Sequence, residues 1–96
     1  MKNYYVYILS CNDDSYYTGI TNNIDRRVAE HNSGEDTNAY VFPRRPVKLI
    51  WFASFTNPET AIEKEKQIKG WSRKKKEALI NGEFHLLPNL SKKKFE

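Results

Sequence analysis

Residues 4–21 read YYVYILSCNDDSYYTGIT. Tyr4 to Ser10 is dense in β-branched and aromatic residues, the composition of a strand. Asn12-Asp13-Asp14-Ser15 is a cluster of turn formers. Tyr16 to Thr21 has strand character again, so the stretch predicts a β-hairpin. Strand side chains alternate between faces. Tyr5, Tyr7 and Leu9 therefore share one face of the first strand. Tyr17 and Gly19 share a face of the second, opposite Tyr16, Thr18 and Ile20. Gly19 leaves backbone uncovered beside Tyr17, an opening through which a ligand can approach closely.

Asn22 or Asn23 then caps a helix that runs to about Asn32, with Gly34 just beyond its end. At 100° per residue, Ile24, Val28 and His31 fall on one stripe. Arg27 lies at the edge of that stripe and Arg26 on the opposite side, so the twin arginines are not equivalent. Residues 34–46 form a loop rich in Asn, Pro and charge. Val47 to Phe55 is a third strand, with Trp51 in its core. Asn57 and Pro58 start a second helix, with proline at its first position. It runs to about Lys69 and ends at Gly70. Ser72 caps a third helix, Arg73 to about Asn81, closed by Gly82. The element order is β-β-α-β-α-α, an α+β fold with a small three-stranded antiparallel sheet flanked by helices.

The second helix carries an anomaly. Ala61, Ile62 and Ile68 form its apolar stripe, Glu65 projects from the middle of that stripe, and Glu63, Lys64 and Gln67 point away. An ionised carboxylate on a buried face is costly unless it is paired or bound to a metal. Two readings follow. Glu65 is either one half of a structural salt bridge to Arg27 or a metal-binding, catalytic carboxylate.

Composition narrows the chemistry. The chain has 96 residues and a net charge of +4, enough for one domain over residues 1–82 followed by a basic C-terminal tail, 83–96. His85 in that tail is incidental. The single cysteine, Cys11, excludes an intramolecular disulfide and a cysteine-built zinc site, and has no partner to make it a nucleophile. Only two histidines are present, which argues against a zinc-only enzyme. The longest apolar run, Leu49 to Ala53, is too short to span a bilayer. With no signal peptide at its start, the expectation is a soluble, cytoplasmic protein that works as a monomer. Seven basic residues and one acid lie between Lys64 and Lys76, and such a patch suits nucleic acid. Arg44, Arg45, Lys69, Arg73, Lys74 and Lys75 are the candidate phosphate contacts. A solvated helix face is the plainer account of the same charges. Trp71 is a candidate base-stacking residue or a hydrophobic contact joining two helices.

The remaining polar residues that draw notice are Tyr7, Tyr17, Arg27, His31 and Glu65. Phosphodiester hydrolysis needs an activated water, a positive group for charge on the phosphoryl oxygens and often a metal held by carboxylate. A tyrosine, with an ordinary pKa near ~10, serves as a base only where nearby cations or a metal favour its phenolate; Arg27 and the lysines are the candidate cations.

Taken in order, these residues resemble the GIY-YIG endonucleases. The first motif stands as Tyr5-Val6-Tyr7 and the second as Tyr17-Thr18-Gly19. Asp25-Arg26-Arg27 and Glu30-His31-Asn32-Ser33-Gly34 follow, then Arg44-Arg45-Pro46, then Ala61 through Glu65 to Ile68-Lys69. The resemblance runs from about Tyr4 to Ile80 and is to the small stand-alone bacterial members. They are similar to the catalytic domains of excision-repair incision subunits and structure-specific nucleases. Tyr5 replaces the first glycine of the pattern and Thr18 the isoleucine of its second motif; both changes spare the tyrosines. The resemblance implies that Tyr7, Tyr17, Arg27 and Glu65 are catalytic, with His31 at a position near the active site and Glu65 binding Mg2+ or Mn2+. It implies a metal-dependent endonuclease that hydrolyses phosphodiester bonds in DNA, branched or damaged, in repair or recombination. The alternatives are a non-catalytic nucleic-acid-binding module on the same fold, and an interaction domain in which Glu65 and Arg27 form a buried pair.

Overall fold

The expected hairpin forms. Strand β1 is Tyr4–Ser10 and β2 is Tyr16–Thr21, paired antiparallel with Tyr7 opposite Gly19 and Leu9 opposite Tyr17. Asp14 takes the left-handed conformation, φ 68°, which Asp tolerates better than most residues. The Asp13 carboxylate accepts from the Ser15 amide at 3.1 Å and from its hydroxyl at 2.6 Å, which braces the turn. This is the computed structural model, and it describes residues 2–83. All of the expected basic tail but Glu83 lies outside the described residues, including His85 and Lys92-Lys93-Lys94.

Helix α1 is Ile24–Ser33. Asn23 caps it, its side chain accepting from the Arg26 amide, and Gly34 ends it at φ 77°. A loop with one 3-10 turn, Phe42–Arg44, leads to strand β3, Lys48–Phe55. Helices α2, Pro58–Lys69, and α3, Arg73–Ile80, complete the order β-β-α-β-α-α. The sheet order is β2-β1-β3 with both pairings antiparallel. The α+β architecture is the one expected.

Because β1 is central, both of its faces are buried, and they build two cores. Val6 and Ile8 meet Ala61 and Ile68 of α2 and Ala78 and Leu79 of α3. On the opposite face, Tyr7 and Leu9 pack with Cys11, Val41 and Val47, bordered by Tyr17, Val28 and Leu49. A bulge opposite Ile8 and Leu9 shifts the β1–β3 register. It lets the consecutive Ile50 and Trp51 both pack on the α2/α3 side while Leu49 serves the other core. Trp71 joins the α2/α3 core, as a helix-joining contact. The Asn32 side chain holds the end of α1 to the start of β3. It accepts from the Val47 amide at 2.8 Å and donates to the Val47 carbonyl at 3.1 Å.

Two expectations about α2 are corrected. Ile62, assigned to the apolar stripe, is 43 % exposed, and Lys64, assigned to the outer face, is buried. The buried residues are Ala61, Lys64, Glu65 and Ile68, the i, i+3, i+4, i+7 set of one helix face. Helix phase, not residue type, decides burial here. A lysine stem is long enough to lie along apolar surface.

The space beside Gly19 is also reassigned. A Cβ at Gly19 would lie 2.5 Å from Tyr7 Oη and 2.6 Å from Cζ. The glycine therefore makes room for the Tyr7 ring and not for a ligand. Gly19→Ala should overpack this core at a cost of about 1–3 kcal/mol, on the order of a 5–20 °C fall in melting temperature for a chain of this size. A thermal melt checks it, and an unchanged transition would mean that the ring moves aside freely.

Candidate active site

Tyr7 lies at the bottom of the site. It is 1 % exposed, yet its hydroxyl is not isolated: Oη sits 3.0 Å from His31 Nε2. The strand parity that paired Tyr7 with Gly19 and Leu9 with Tyr17 puts both tyrosines on one face, ring centroids 6.4 Å apart. His31, one helix stripe away on α1, meets the Tyr17 ring edge-on at 5.3 Å. Three residues from three elements thus form one aromatic cluster. Within it, the Tyr7 hydroxyl and His31 Nε2 are within hydrogen-bond distance for proton exchange.

Burial pushes the Tyr7 phenol well above the ordinary tyrosine range. Tyr17 adds to the push, the Arg27 guanidinium opposes it through charge and a hydrogen bond, and Glu65 adds to it again. Of the cations expected to favour a tyrosine phenolate, Arg27 lowers the Tyr7 pKa but does not outweigh desolvation there. His31 moves the other way. Burial lowers its pKa, Arg27 lowers it further and Glu30 opposes. Where a neutral His31 carries its proton on Nδ1, its Nε2 accepts the phenolic hydrogen of Tyr7.

Arg27 stands at the rim, its side chain 45 % exposed and paired with Glu30 at 3.2 Å. It lines, with Glu30, His31 and Gly34, a cleft of about 290 Å³. Arg26 reaches away, to Asn22 and Glu30. The expected difference between the twin arginines is present, although Arg27 is a rim residue and not an interior one.

Glu65 enters from α2, which packs on β1 and β2. It is 9 % exposed. Its Oε2 lies 2.8 Å from Lys69 Nζ, so the ion pair it makes is one turn along its own helix and not the expected pair with Arg27. The ammonium of Lys69 sits 6.0 Å from the centre of the Tyr17 ring. The five candidates Tyr7, Tyr17, Arg27, His31 and Glu65 thus share one neighbourhood, with Lys69 among them. No group of three or more His, Cys, Asp or Glu residues able to hold a metal occurs among the described residues. Glu65 offers a single carboxylate. That suits a magnesium-type ion, which commonly takes one or two carboxylates and completes its shell with water and substrate phosphate.

The basic candidates divide. Lys69 is at the site, and its charge reaches Lys76 and, with burial, lowers that lysine's pKa. Arg73 is engaged elsewhere: it pairs with Glu77 at 3.1 Å, lies over the Tyr16 ring and donates to the Asp14 carbonyl. Lys74 and Lys75 stand exposed at the start of α3. Arg45 lies over Phe42 at 4.3 Å and fills the space a side chain on Gly34 would need, so it backs the cleft. Arg44 pairs with Asp13 at 3.0 Å and lies 3.8 Å from the centre of the Tyr40 ring. Sequence reasoning passed over Tyr40, which stacks on Tyr17 at 5.9 Å; an aromatic residue inside a polar loop was the available signal.

Comparison with known proteins places this arrangement. The GIY-YIG catalytic domain family matches residues 3–78. A UPF0213 protein of Natronomonas pharaonis is 46 % identical over 80 residues, covering 83 % of this chain and 93 % of that protein. A UPF0213 protein of Staphylococcus haemolyticus is 41 % identical over 80 residues, covering 83 % and 96 %. The solution NMR structure of protein EF2693 from E. faecalis is 38 % identical, covers 90 % of each chain and superposes with a TM-score of 0.62. That of the UPF0213 protein BH0048 from Bacillus halodurans is 43 % identical, covers 82 % of this chain and 83 % of that one, and gives 0.55. With the match running through both tyrosine motifs, the α1 arginine and Glu65, the chain belongs to the GIY-YIG catalytic domain family.

Proposed function

We propose that this protein is a metal-dependent endonuclease that hydrolyses phosphodiester bonds in DNA, on branched or damaged substrates met in repair or recombination. It acts in the cytoplasm as a monomer. One observation carries the reading: the buried Tyr7 hydroxyl lies against His31 Nε2, with Arg27 and Glu65 both within electrostatic reach.

The roles follow from the contacts. Glu65 would hold the divalent cation, Mg2+ or Mn2+, and when bound that ion offers positive charge to a non-bridging oxygen and to the leaving 3′ oxygen. Arg27, at the rim, holds phosphoryl oxygens and the charge that grows on them. Tyr7 takes a proton from the attacking water and passes its own to His31 Nε2. The water oxygen forms the new bond to phosphorus as the bond to the 3′ oxygen breaks, and the departing 3′ oxygen takes a proton from solvent water to become the 3′-hydroxyl. Tyr17 steadies the phosphate beside Lys69. Because Tyr7 is held protonated, His31 is the proton acceptor this step depends on, a role that goes beyond a position near the site.

One observation favours a non-catalytic nucleic-acid-binding module instead: Lys69 Nζ occupies Glu65 Oε2 at 2.8 Å, where a cation would otherwise bind. A cleavage panel separates the two readings. Purified protein is incubated with flaps, forks, junctions, single strands and duplexes, with Mg2+ or Mn2+ or with chelator. The nuclease reading expects metal-dependent cuts that leave 3′-hydroxyl and 5′-phosphate ends. Salt-sensitive binding with no cut on any substrate would sink it in favour of the binding module.

A further inference from the structure

We propose that Tyr40, with the Arg44 guanidinium laid on its ring, forms a base-stacking, specificity-determining platform that engages the nucleobase next to the phosphate at the Tyr7–Tyr17 site. This rests on the nuclease reading for the identity of the polymer. Tyr40 lies in the loop between α1 and β3 and is 47 % exposed, a large aromatic surface open to solvent. It is nonetheless held. Its ring stacks on Tyr17 at 5.9 Å with 25° between planes, and the Arg44 guanidinium lies 3.8 Å from its centre. Arg44 Nη1 also donates to the Tyr40 carbonyl at 2.7 Å, while Asp13 pairs with the other side of the guanidinium. The neighbouring Ala39 and Val41 line the cleft that Arg27 and His31 share.

The column His31–Tyr17–Tyr40–Arg44 therefore runs from the reacting centre to the protein surface. An exposed ring in a mobile loop would lose entropy on gripping a ligand. A ring braced by a stack, a cation and a backbone hydrogen bond does not. Bases stack on aromatic side chains without regard to sequence, because every base has a π-face. Within a duplex that face is covered by neighbouring base pairs. An unpaired nucleotide can extend the column by laying its base on the outer face of the Arg44 guanidinium that Tyr40 holds, so the Tyr40–Arg44 pair selects substrates with an unstacked base beside the cut. Glu30, Glu35 and Asp36 line the same cleft; their charge disfavours a second phosphate there and leaves room for an uncharged base. Arg44 becomes the outer layer of that stack, positioned by Tyr40, and not a direct phosphate contact.

The test couples a protein change to a substrate change. Single-stranded oligonucleotides carry either a normal nucleotide or an abasic one beside the cut. They are offered to wild type, Tyr40→Phe, Tyr40→Trp and Tyr40→Leu, with melting curves recorded for each. Wild type, Tyr40→Phe and Tyr40→Trp should prefer the intact base. Tyr40→Leu should lose about 5- to 100-fold in kcat/KM on the intact strand, the range of one base–aromatic stack, and little on the abasic strand. An equal loss on both strands would mean that Tyr40 merely props Tyr17, and no loss at all would mean that it is bystander surface; either overturns the proposal and leaves the nuclease reading standing. If wild type cuts nothing, the nuclease reading fails alone. Stacking is then judged in chelator from the fluorescence of 2-aminopurine placed in the strand. Quenching by wild type that Tyr40→Leu abolishes supports it, and indistinguishable signals overturn it.

Discussion

Replacing Glu65 with alanine should reduce metal-dependent cleavage by at least about 10²–10³-fold, the cost of removing one preorganised charge from a site of this kind, while the fold survives. The partner explains the second half of that expectation. Lys69 is 55 % exposed, so when Glu65 is removed its ammonium turns to water. An ion pair with one member in solvent contributes at most about 1 kcal/mol, roughly 4–8 °C in melting temperature. Had Glu65 paired with Arg27 in the interior, removal of either would have cost about 3–5 kcal/mol. Cleavage rate and melting curve on one variant therefore test the enzyme against the interaction-domain reading. A fully active Glu65→Ala protein, or one that fails to fold, would count against the assignment. Arg27→Ala should behave alike, since Arg27 is at the rim and pairs only along its own helix with Glu30 among the ion pairs seen.

Tyr7→Phe should lower cleavage by about 10²–10⁴-fold, the usual weight of a positioned acid or base. The ring that fills the core stays, and the cost in stability should be near that of one hydrogen bond, about 0.5–1.5 kcal/mol. The pH profile then identifies the proton acceptor. His31 is held below its ordinary value by burial and by Arg27, so it remains neutral down to somewhat below pH ~6.5. Wild-type kcat/KM should hold at neutral pH and decline as pH falls through the His31 pKa, because His31 bearing a proton on both nitrogens cannot accept one from Tyr7. In His31→Gln the level should drop and that acidic limb should vanish. Persistence of the limb in His31→Gln would assign it to another group and remove His31 from the proton path.

Much of this site was legible in one dimension. Period-2 alternation groups Tyr7 with Tyr5 and Leu9 on one strand and Tyr17 with Gly19 on the other, and the 100° helix step puts His31 on a stripe with Arg27 at its edge; the pairing register then brings the two tyrosines to one face. The alternation and the helix step are short-range geometric facts, set by backbone stereochemistry. The errors came where residue type was allowed to overrule phase. Ile62 was assigned inward because it is apolar, and Lys64 outward because it is charged, whereas the face completed by Ala61, Glu65 and Ile68 includes Lys64 and not Ile62. Gly19 was read as an opening for a ligand, because nothing in the sequence tells which neighbouring side chain lies across it.

The sequence by itself determined the element order, the two faces of the hairpin and the set of reactive residues, since each depends on chain-local periodicity and on the order of the motifs. Tertiary structure decided what those residues do to one another. Burial, which a sequence cannot measure, raises the Tyr7 pKa and lowers that of His31, and the fold brings the two groups into hydrogen-bond contact. Spatial approach gave Glu65 to Lys69 instead of Arg27. It also set Tyr40, more than twenty residues from Tyr17 in the chain, against that ring, because the loop after α1 folds back over the core built on Tyr7 and Leu9.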